Sequence, residues 1–452
     1  MAVFLLRGSK RGWAADKLRA AEVVPFASAG QIAGKVPMET LFERFICNFI
    51  RRGSLEIDMP SGRRISAGDG AGPPLAIALR DGTALSRLLR NPELAFGELH
   101  MEGALIVTRG SLFDVIVLAL HNLGQKGEAR WMVFLRKLRT RLRRLDQRNN
   151  LLRARQNVSH HYDLDARLYS LFLDEDRQYS CAYFEHPEWD LETAQRAKQR
   201  HVAAKLLVGE GARVLDIGCG FGGMALYLAR VCGAQATGIT LSQEQFAMAS
   251  ARASASGLDR PPEFRLQDYR ETGDRFARIV SVGMFEHVGL AHYGEFFSKL
   301  YAMLEDDGIA LLHTIGRTDP PCATNPFITK YIFPGGYVPA LSEMMPAIEG
   351  SGLIVTDIEI LRLHYAHTLR HWRLRFMAHH DEIAALYDER FCRMWEFYLA
   401  ASEATFCLGQ NVVFQIQLAR CVDAVPMTRD YIAREEQRLR EAEEVVFTSP
   451  CP

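Results

Sequence analysis

Glu286 and His287 stand side by side in SVGMFEHVGL (281 to 290), directly after FARIVSVG, an apolar run that reads as a buried β-strand. A carboxylate and an imidazole at the end of such a strand are the usual side chains for moving a proton. The plainer alternative is a strand end whose polar groups are satisfied by a neighbouring helix.

A second pattern lies upstream. In VLDIGCGFGG (214 to 223) a strand carries Asp216 near its end and runs into glycines that open a helix. Gly218 and Gly220 let the backbone turn sharply and approach a ligand closely, because no Cβ intervenes. A dinucleotide site usually ends its second strand in an acid that holds a ribose hydroxyl, whereas the second strand here ends in GITLS. The Asp-x-Gly-x-Gly form, with Asp216 on the strand itself, points instead to an S-adenosylmethionine methyltransferase. Asp268 closes the third strand in RLQDY, placed to accept from an adenine amino group, and Tyr269 is placed to stack; a helix or turn cap is the competing role for Asp268. No glycine-rich loop followed by Lys-Ser or Lys-Thr offers a phosphate clamp, as a sulfonium cofactor predicts.

These residues need a frame to hold them. From about residue 211 strands and helices alternate (ARVLDIG, GGMALYLARVC, ATGITL, SQEQFAMASARASASG, PEFRLQD, FARIVSVG, YGEFFSKLYAMLEDDG, GIALLHTIG), which demands a mostly parallel sheet with helices on both faces. The fold class is therefore doubly wound α/β. A Pro-rich insertion (317 to 346) follows, then LIVTDIEIL as a strand, helices through WEFYLAASEATF, and a late strand, NVVFQIQLAR. Residues 38–123 form a separate α+β pattern that opens with the amphipathic helix ETLFERFICNFIRR and continues with strand-like GSLEIDMP, PLAIALR and GALIVTRG. The expected organisation is an irregular segment to residue 37, a small domain over 38–123, a basic amphipathic linker over 124–158, the α/β domain over 159–430, and a charged tail over 431–452 in which 431 to 446 read as a solvated terminal helix.

Composition narrows the function. With 452 residues, 48% of them hydrophobic, the chain has room for two or three domains. Lys+Arg and Asp+Glu both number 54, so overall charge favours neither nucleic acid nor an acidic partner. Nine scattered cysteines, with no Cys/His pairing at metal spacing, fit a reduced intracellular protein without bound metal. No window offers the ~20 uncharged apolar residues of a membrane span, nor a signal-peptide core. One local exception stands out: residues 130 to 155 carry ten Lys or Arg against one acid, with Trp131, Leu135, Leu138, Leu142 and Leu145 at helical spacing. A membrane-surface helix and a linker helix packed on a neighbour both fit this pattern, while a nucleic-acid arm lacks the aromatic or Gly-rich interleaving that usually accompanies one.

Several blocks together, YSCAYFEHPEWDLETAQ, VLDIGCGFGG, RIVSVGMFEHVG, KYIFPGGYVP, HYAHTLRHW and RFCRMWEFYL, closely resemble the cyclopropane-fatty-acyl-phospholipid synthase family, to which the mycolic acid cyclopropane synthases are related. The resemblance runs from about 156 to 425, and GELHMEGALIVTRGSLFDVI is similar to the family's lipid-carrier-like N-terminal domain. It implies a class I S-adenosylmethionine methyltransferase fold that transfers the sulfonium methyl to a cis double bond of an acyl chain in a phospholipid. An alkene is a poor nucleophile, so it must be aligned with the methyl carbon and kept from water. A base must then take a proton so that the ring closes before the cation is quenched.

In the family that base is a bound bicarbonate, and the matching residues here are Cys181, Glu286, His313, Ile315 through its backbone, and Tyr365. On this reading Glu286 positions a borrowed base, with the proton between the two anions supplied by His313 or by bicarbonate itself, and His287 merely supports the turn. Cys181 as an inert buried thiol, and His313 and Tyr365 as core residues, are the alternatives. For the cofactor the resemblance implies Tyr179 and Ser180 at the methionine end, Gly218 and Gly220 at the backbone, Thr240, Leu241 and Gln245 around the ribose, and Asp268 and Tyr269 by the adenine. Phe221 stands where many members have Trp. FFSKLYAML and the 317 to 346 insertion are candidates for the walls of an acyl channel, with helix core the competing role for the former. The resemblance further implies a homodimer on the inner face of the cytoplasmic membrane, no nucleic-acid partner, and methyl or methylene branching as the nearest alternative chemistry. A non-catalytic lipid-binding role is the alternative of a different class.

Overall fold

A computed structural model describes residues 37–123, Thr140 and 165–448. Apart from Thr140, the basic segment 130 to 155 lies outside the described residues, as does the irregular segment up to residue 36. Among the described residues no helix is long and apolar enough to cross a membrane.

The N-terminal part comprises α1 (Met38–Phe49), β1 (Ser54–Asp58), β2 (Arg64–Gly68), β3 (Leu75–Leu79), α2 (Gly82–Arg90), α3 (Pro92–Met101), β4 (Leu105–Arg109) and α4 (Leu112–Asn122). Its sheet has the order β2-β1-β3-β4, with β1 and β3 parallel and both outer pairings antiparallel. Alternation along β1 and β2 puts Leu55, Ile57, Ile65 and Ala67 on one face, where they share a core with Phe42 and Leu85. The sequence reading did not assign β2, because the five residues RISAG are too few and too polar for a period to emerge.

The second sheet begins after α5 (Ala166–Phe172) and α6 (Leu191–Leu206). It is built from β5 (Arg213–Ile217), α7 (Gly223–Cys232), β6 (Gln235–Thr240), α8 (Gln243–Ser254), β7 (Glu263–Leu266), β8 (Phe276–Val282), α9 (Tyr293–Met303) and β9 (Leu304–Arg317). There follow α10 (Leu341–Glu349), β10 (Ile354–Leu361), α11 (His364–Ala378), α12 (His380–Leu386), α13 (Glu389–Cys407), β11 (Asn411–Ala419) and α14 (Asp430–Thr448). The order is β10-β11-β9-β8-β5-β6-β7, and β11 runs opposite to the other six strands. Both faces are buried, as the alternation predicts. Leu215, Ile217, Ile279 and Leu312 share a core with Phe296 and Ile348 of α9 and α10, while Val214, Val280 and Leu311 share one with Val202, Leu228 and Leu439 of α6, α7 and α14.

Three features depart from the sequence reading. Helix α9 stops at Met303, because Leu304 is already paired with Phe276 at the start of β9. Helix α14 forms where the charged terminal helix was read, but one side of it is not solvated: Tyr431, Ile432, Leu439 and Glu443 are buried, and Glu436 and Glu443 face partners rather than water. Glu443 takes Arg200 (2.6 Å) and the Tyr227 hydroxyl (2.6 Å), and Glu436 takes His201 (2.6 Å). Third, the described residues of 38–123 and 165–448 fall in one compact unit, Met38–Pro452. Helices α3 and α4 pack against α13. At Gly97 in α3 a Cβ would come within 2.5 Å of the Phe327 ring and 2.7 Å of the Phe397 ring, so only glycine permits this approach. Next to it Glu98 accepts from Lys330 (2.7 Å) and the Tyr331 hydroxyl (2.9 Å), both from the insertion.

Candidate active site

Strand β5 stands between β6 and β8, where the order of connection reverses, and ligands of such sheets bind beyond the carboxyl ends of the strands at this point. A cavity of about 140 Å³ opens there. The segment between α5 and α6 contributes Tyr179 and Ser180, and β5 with its following turn contributes Asp216, Gly218 and Gly220. Thr240, Leu241 and Gln245 come from the end of β6 and the start of α8, and Asp268 and Tyr269 from the turn after β7. The ten residues expected around the cofactor thus line one space.

Their local geometry is specific. Gly218 has φ +80°, and a Cβ there would lie 2.8 Å from Met284. Asp216 is 2% exposed, its Oδ2 has no hydrogen-bond partner, and burial raises its carboxyl to about 7 against the pull of Lys198. The Thr240 hydroxyl donates to Gln245 Oε1 at 2.8 Å. Asp268 does cap a turn: it accepts from the Arg270 backbone N–H (3.0 Å) and from two guanidinium nitrogens (2.9 and 2.8 Å). A carboxylate offers about four acceptor positions, so one remains for a ligand.

A second cavity, about 80 Å³, adjoins the first and shares Tyr179, Ser180, Gly283 and His287 with it. Cys181, Glu286, His313, Ile315 and Tyr365 all line it, drawn from the segment before α6, the turn after β8, strand β9 and helix α11. The insertion supplies Thr324, Ile328, Phe333 and Tyr337, whereas Phe296, Phe297 and Leu300 of FFSKLYAML sit in the core. Glu286 Oε1 accepts the Ile315 backbone N–H at 2.6 Å, while Oε2 is buried with no hydrogen-bond partner. Burial raises the Glu286 carboxyl to about 7, although the backbone N–H of Ile315 pulls it down. His313 is held far below the usual imidazole range by burial and by the nearby Lys198 and Lys205. Glu286 itself can therefore carry the proton that the sequence reading sought from His313 or from the anion. Burial keeps Cys181 a thiol. His287 has more than a turn to support: it lies on the boundary of both cavities, and burial lowers it to about 4, which keeps it neutral.

The sequence reading passed over Lys198. Fully buried on α6, it donates to Gln178 Oε1 (2.5 Å) and Ser180 Oγ (2.9 Å), and so braces the segment that lies between the cavities. Burial lowers it to about 8, opposed by Asp174. In LETAQRAKQRHVAAK it looks like any helix-surface lysine, and no local signal distinguishes it.

The mycolic acid cyclopropane synthetase family model matches residues 149–416, more than half of the chain. The chain belongs to that family. It is 38% identical over 350 residues to the cyclopropane-fatty-acyl-phospholipid synthase of Escherichia coli strain K12, covering 77% of this chain and 89% of the relative. It is 34% identical over 388 residues to the tuberculostearic acid methyltransferase UfaA1 of Mycobacterium tuberculosis, covering 81% and 88%. Among solved structures it is similar to the mycolic acid cyclopropane synthase CmaA1 complexed with SAH and CTAB, with TM-score 0.56, 32% identity, and coverage of 59% of this chain and 98% of that one. The doubly wound sheet is thus a class I methyltransferase fold, and the chain is an S-adenosylmethionine-dependent enzyme of the family that transfers methyl or methylene groups to lipids.

The first cavity suits that cofactor. The buried, unpartnered Asp216 Oδ2 offers an acceptor, and the left-handed Gly218 turn brings bare backbone to the cavity wall, where a Cβ would press on Met284 at 2.8 Å. Gly218→Val should accordingly weaken S-adenosylmethionine binding by at least about tenfold in titration calorimetry, because the left-handed backbone alone costs a β-carbon residue roughly 1–2 kcal/mol. Unchanged affinity would mean that the cofactor lies elsewhere.

Proposed function

We propose that this enzyme builds a cyclopropane ring on the cis double bond of an unsaturated phospholipid acyl chain, with bound bicarbonate as the base. The observation that carries the reading is the second cavity, where a buried carboxyl oxygen (Glu286 Oε2) and a buried imidazole nitrogen (His313 Nε2) have no partner and adjoin the cofactor space. When bound, S-adenosylmethionine supplies an electrophilic methyl group. Tyr179, Ser180 and His287 bound both spaces and so align the acceptor with that methyl and exclude water. Bound in the first cavity, S-adenosylmethionine would offer its methyl carbon to the electron pair of the double bond, its sulfur leaving with its own pair; bicarbonate held by Cys181, Glu286, His313, Ile315 and Tyr365 would supply the base for one methyl proton, so that the freed pair closes the ring. Neutral His313 and protonated Glu286 fit an oxyanion between them, and a protonated carboxyl removes the repulsion that two anions would feel. The Ile328 and Phe333 side of the cavity suits an acyl chain.

Access to such a substrate calls for an anionic membrane surface, and the basic residues 130 to 155 are our candidate for docking there, on the inner face of the cytoplasmic membrane and as a homodimer. The test is mass spectrometry of fatty-acid methyl esters after incubating the protein with S-adenosylmethionine and liposomes of a cis-monounsaturated phospholipid. A product one CH2 heavier that resists mild hydrogenation is expected. A product of that mass that hydrogenates readily, or one already saturated and methyl-branched, would put the enzyme with its branching relatives, and no product would remove the proposal.

A further inference from the structure

His313 lies directly opposite Gln415 in the antiparallel pairing of β9 with β11, so the backbone register itself brings the two side chains together. Gln415 Nε2 is 3.2 Å from His313 Nδ1, and on its other side Gln415 Oε1 is 2.9 Å from Lys205 Nζ. Both Gln415 and Lys205 are wholly shut off from solvent. Lys205 also touches the Glu359 carboxylate and lies 3.6 Å from Asp357, and a lysine ammonium offers three donors and no acceptor. Glu359 in turn accepts from His201 Nε2 (2.7 Å), whose Nδ1 faces Glu436 of α14 (2.6 Å). A continuous chain of polar contacts therefore runs from the C-terminal helix to the second cavity, half-buried at Glu436 and Glu359 and fully buried at Lys205, Gln415 and His313.

Directions along this chain are fixed by its chemistry. Because Lys205 only donates, the Gln415 oxygen must face it, and the Gln415 amide N–H must face His313. Turned the other way, the amide would set its NH2 against an ammonium. A donor at 3.2 Å from Nδ1 requires that nitrogen to be bare, so the imidazole proton sits on Nε2, the buried atom without a partner. We propose that Lys205 and Gln415 are positioning residues that lock His313 as the neutral Nε2–H tautomer, so that it presents a hydrogen-bond donor, never a base, to the second cavity. Burial and the surrounding Lys198, Lys205, His201 and His364 all oppose a second proton on the ring. The consequence for turnover rests on the function proposed above, in which that donor holds an oxyanion; the tautomer itself does not.

The experiment is 15N NMR of histidine-labelled full-length protein, with the His313 ring signals assigned by their loss in His313→Asn, alongside steady-state kinetics. Wild-type protein should show the proton on Nε2. In the nearly isosteric Gln415→Glu, a carboxylate faces Nδ1 and should draw the proton to it; kcat should then fall by on the order of 10²-fold, as for loss of one oxyanion donor. KM for S-adenosylmethionine should stay within about twofold, since Gln415 lines neither cavity. A wild-type ring protonated on Nδ1, or a ring unchanged in Gln415→Glu, overturns the proposal. A shifted proton with full turnover overturns the donor role. A wild-type Nε2–H in protein that yields no lipid product would support the lock while removing the proposed function.

Discussion

Glu286→Gln should lower kcat by on the order of 10²-fold or more, within the 10²–10⁴ range of general acid–base groups, while S-adenosylmethionine binds as before. The substitution keeps the shape, and the Gln oxygen still accepts the Ile315 N–H that now reaches Glu286 at 2.6 Å. What it removes is a carboxyl raised by burial to about 7, able to take and return a proton at working pH. The sign of the pH dependence follows. As pH rises through about 7 the wild-type carboxyl ionises beside an anionic base, so kcat falls on the alkaline side, and the Gln variant lacks that inflection. Affinity for the cofactor is unaffected, since Glu286 lines only the second cavity. Single-turnover rates, a pH series and calorimetric titration separate these effects. In bicarbonate-depleted buffer, added bicarbonate should restore the rate of wild-type protein; a fully active variant together with indifference to bicarbonate would sink the borrowed-base account.

Arg200→Met is the largest expected effect on stability. Arg200 is 4% exposed, and its guanidinium bonds Glu443 at 2.6 Å and Glu185 at 2.8 Å. Its loss leaves the buried Glu443 carboxylate with the Tyr227 hydroxyl but no counter-charge. Breaking a buried pair from one side costs about 3–5 kcal/mol. Urea unfolding should register a loss of that size, and hydrogen exchange should place the first opening in α14. A loss below about 1 kcal/mol, as for exposed pairs, would show that α14 is held by Tyr431, Ile432 and Leu439 alone.

How much was legible from residues alone differs from place to place. The parallel sheet was legible because Val214 to Ile217, Ile239 and Ile279 to Val280 form short apolar runs between glycine-rich turns, the pattern of strands buried on both faces. Most of the ten cofactor-site candidates and of the five at the second cavity gather as they do because they sit at strand ends or in the turns that follow, where topology decides position; Tyr179, Ser180, Cys181 and Tyr365 come from flanking segments. Pairings that depend on tertiary approach were not legible. Lys198, Gln415 and Lys205 carry no local mark, since a buried lysine on a helix reads like an exposed one until its partners are placed. The same blindness made the charges of α14 look solvated, when Glu436 and Glu443 are directed at α6.

The tight approach at Gly97 bears on how lineages of this enzyme can drift. A methyl group there would meet the Phe327 ring one residue before Ile328, which bounds the second cavity. Enlargement at 97 is therefore tolerated only where 327 and 397 have both already given way, and the three positions should change together across descendants rather than singly. Selection for a new acyl chain, acting on the insertion, would leave its trace in α3 of the N-terminal part, far away in the chain. Grafting that part from a distant homologue without its matching insertion would then yield a chimera with an altered choice of lipid.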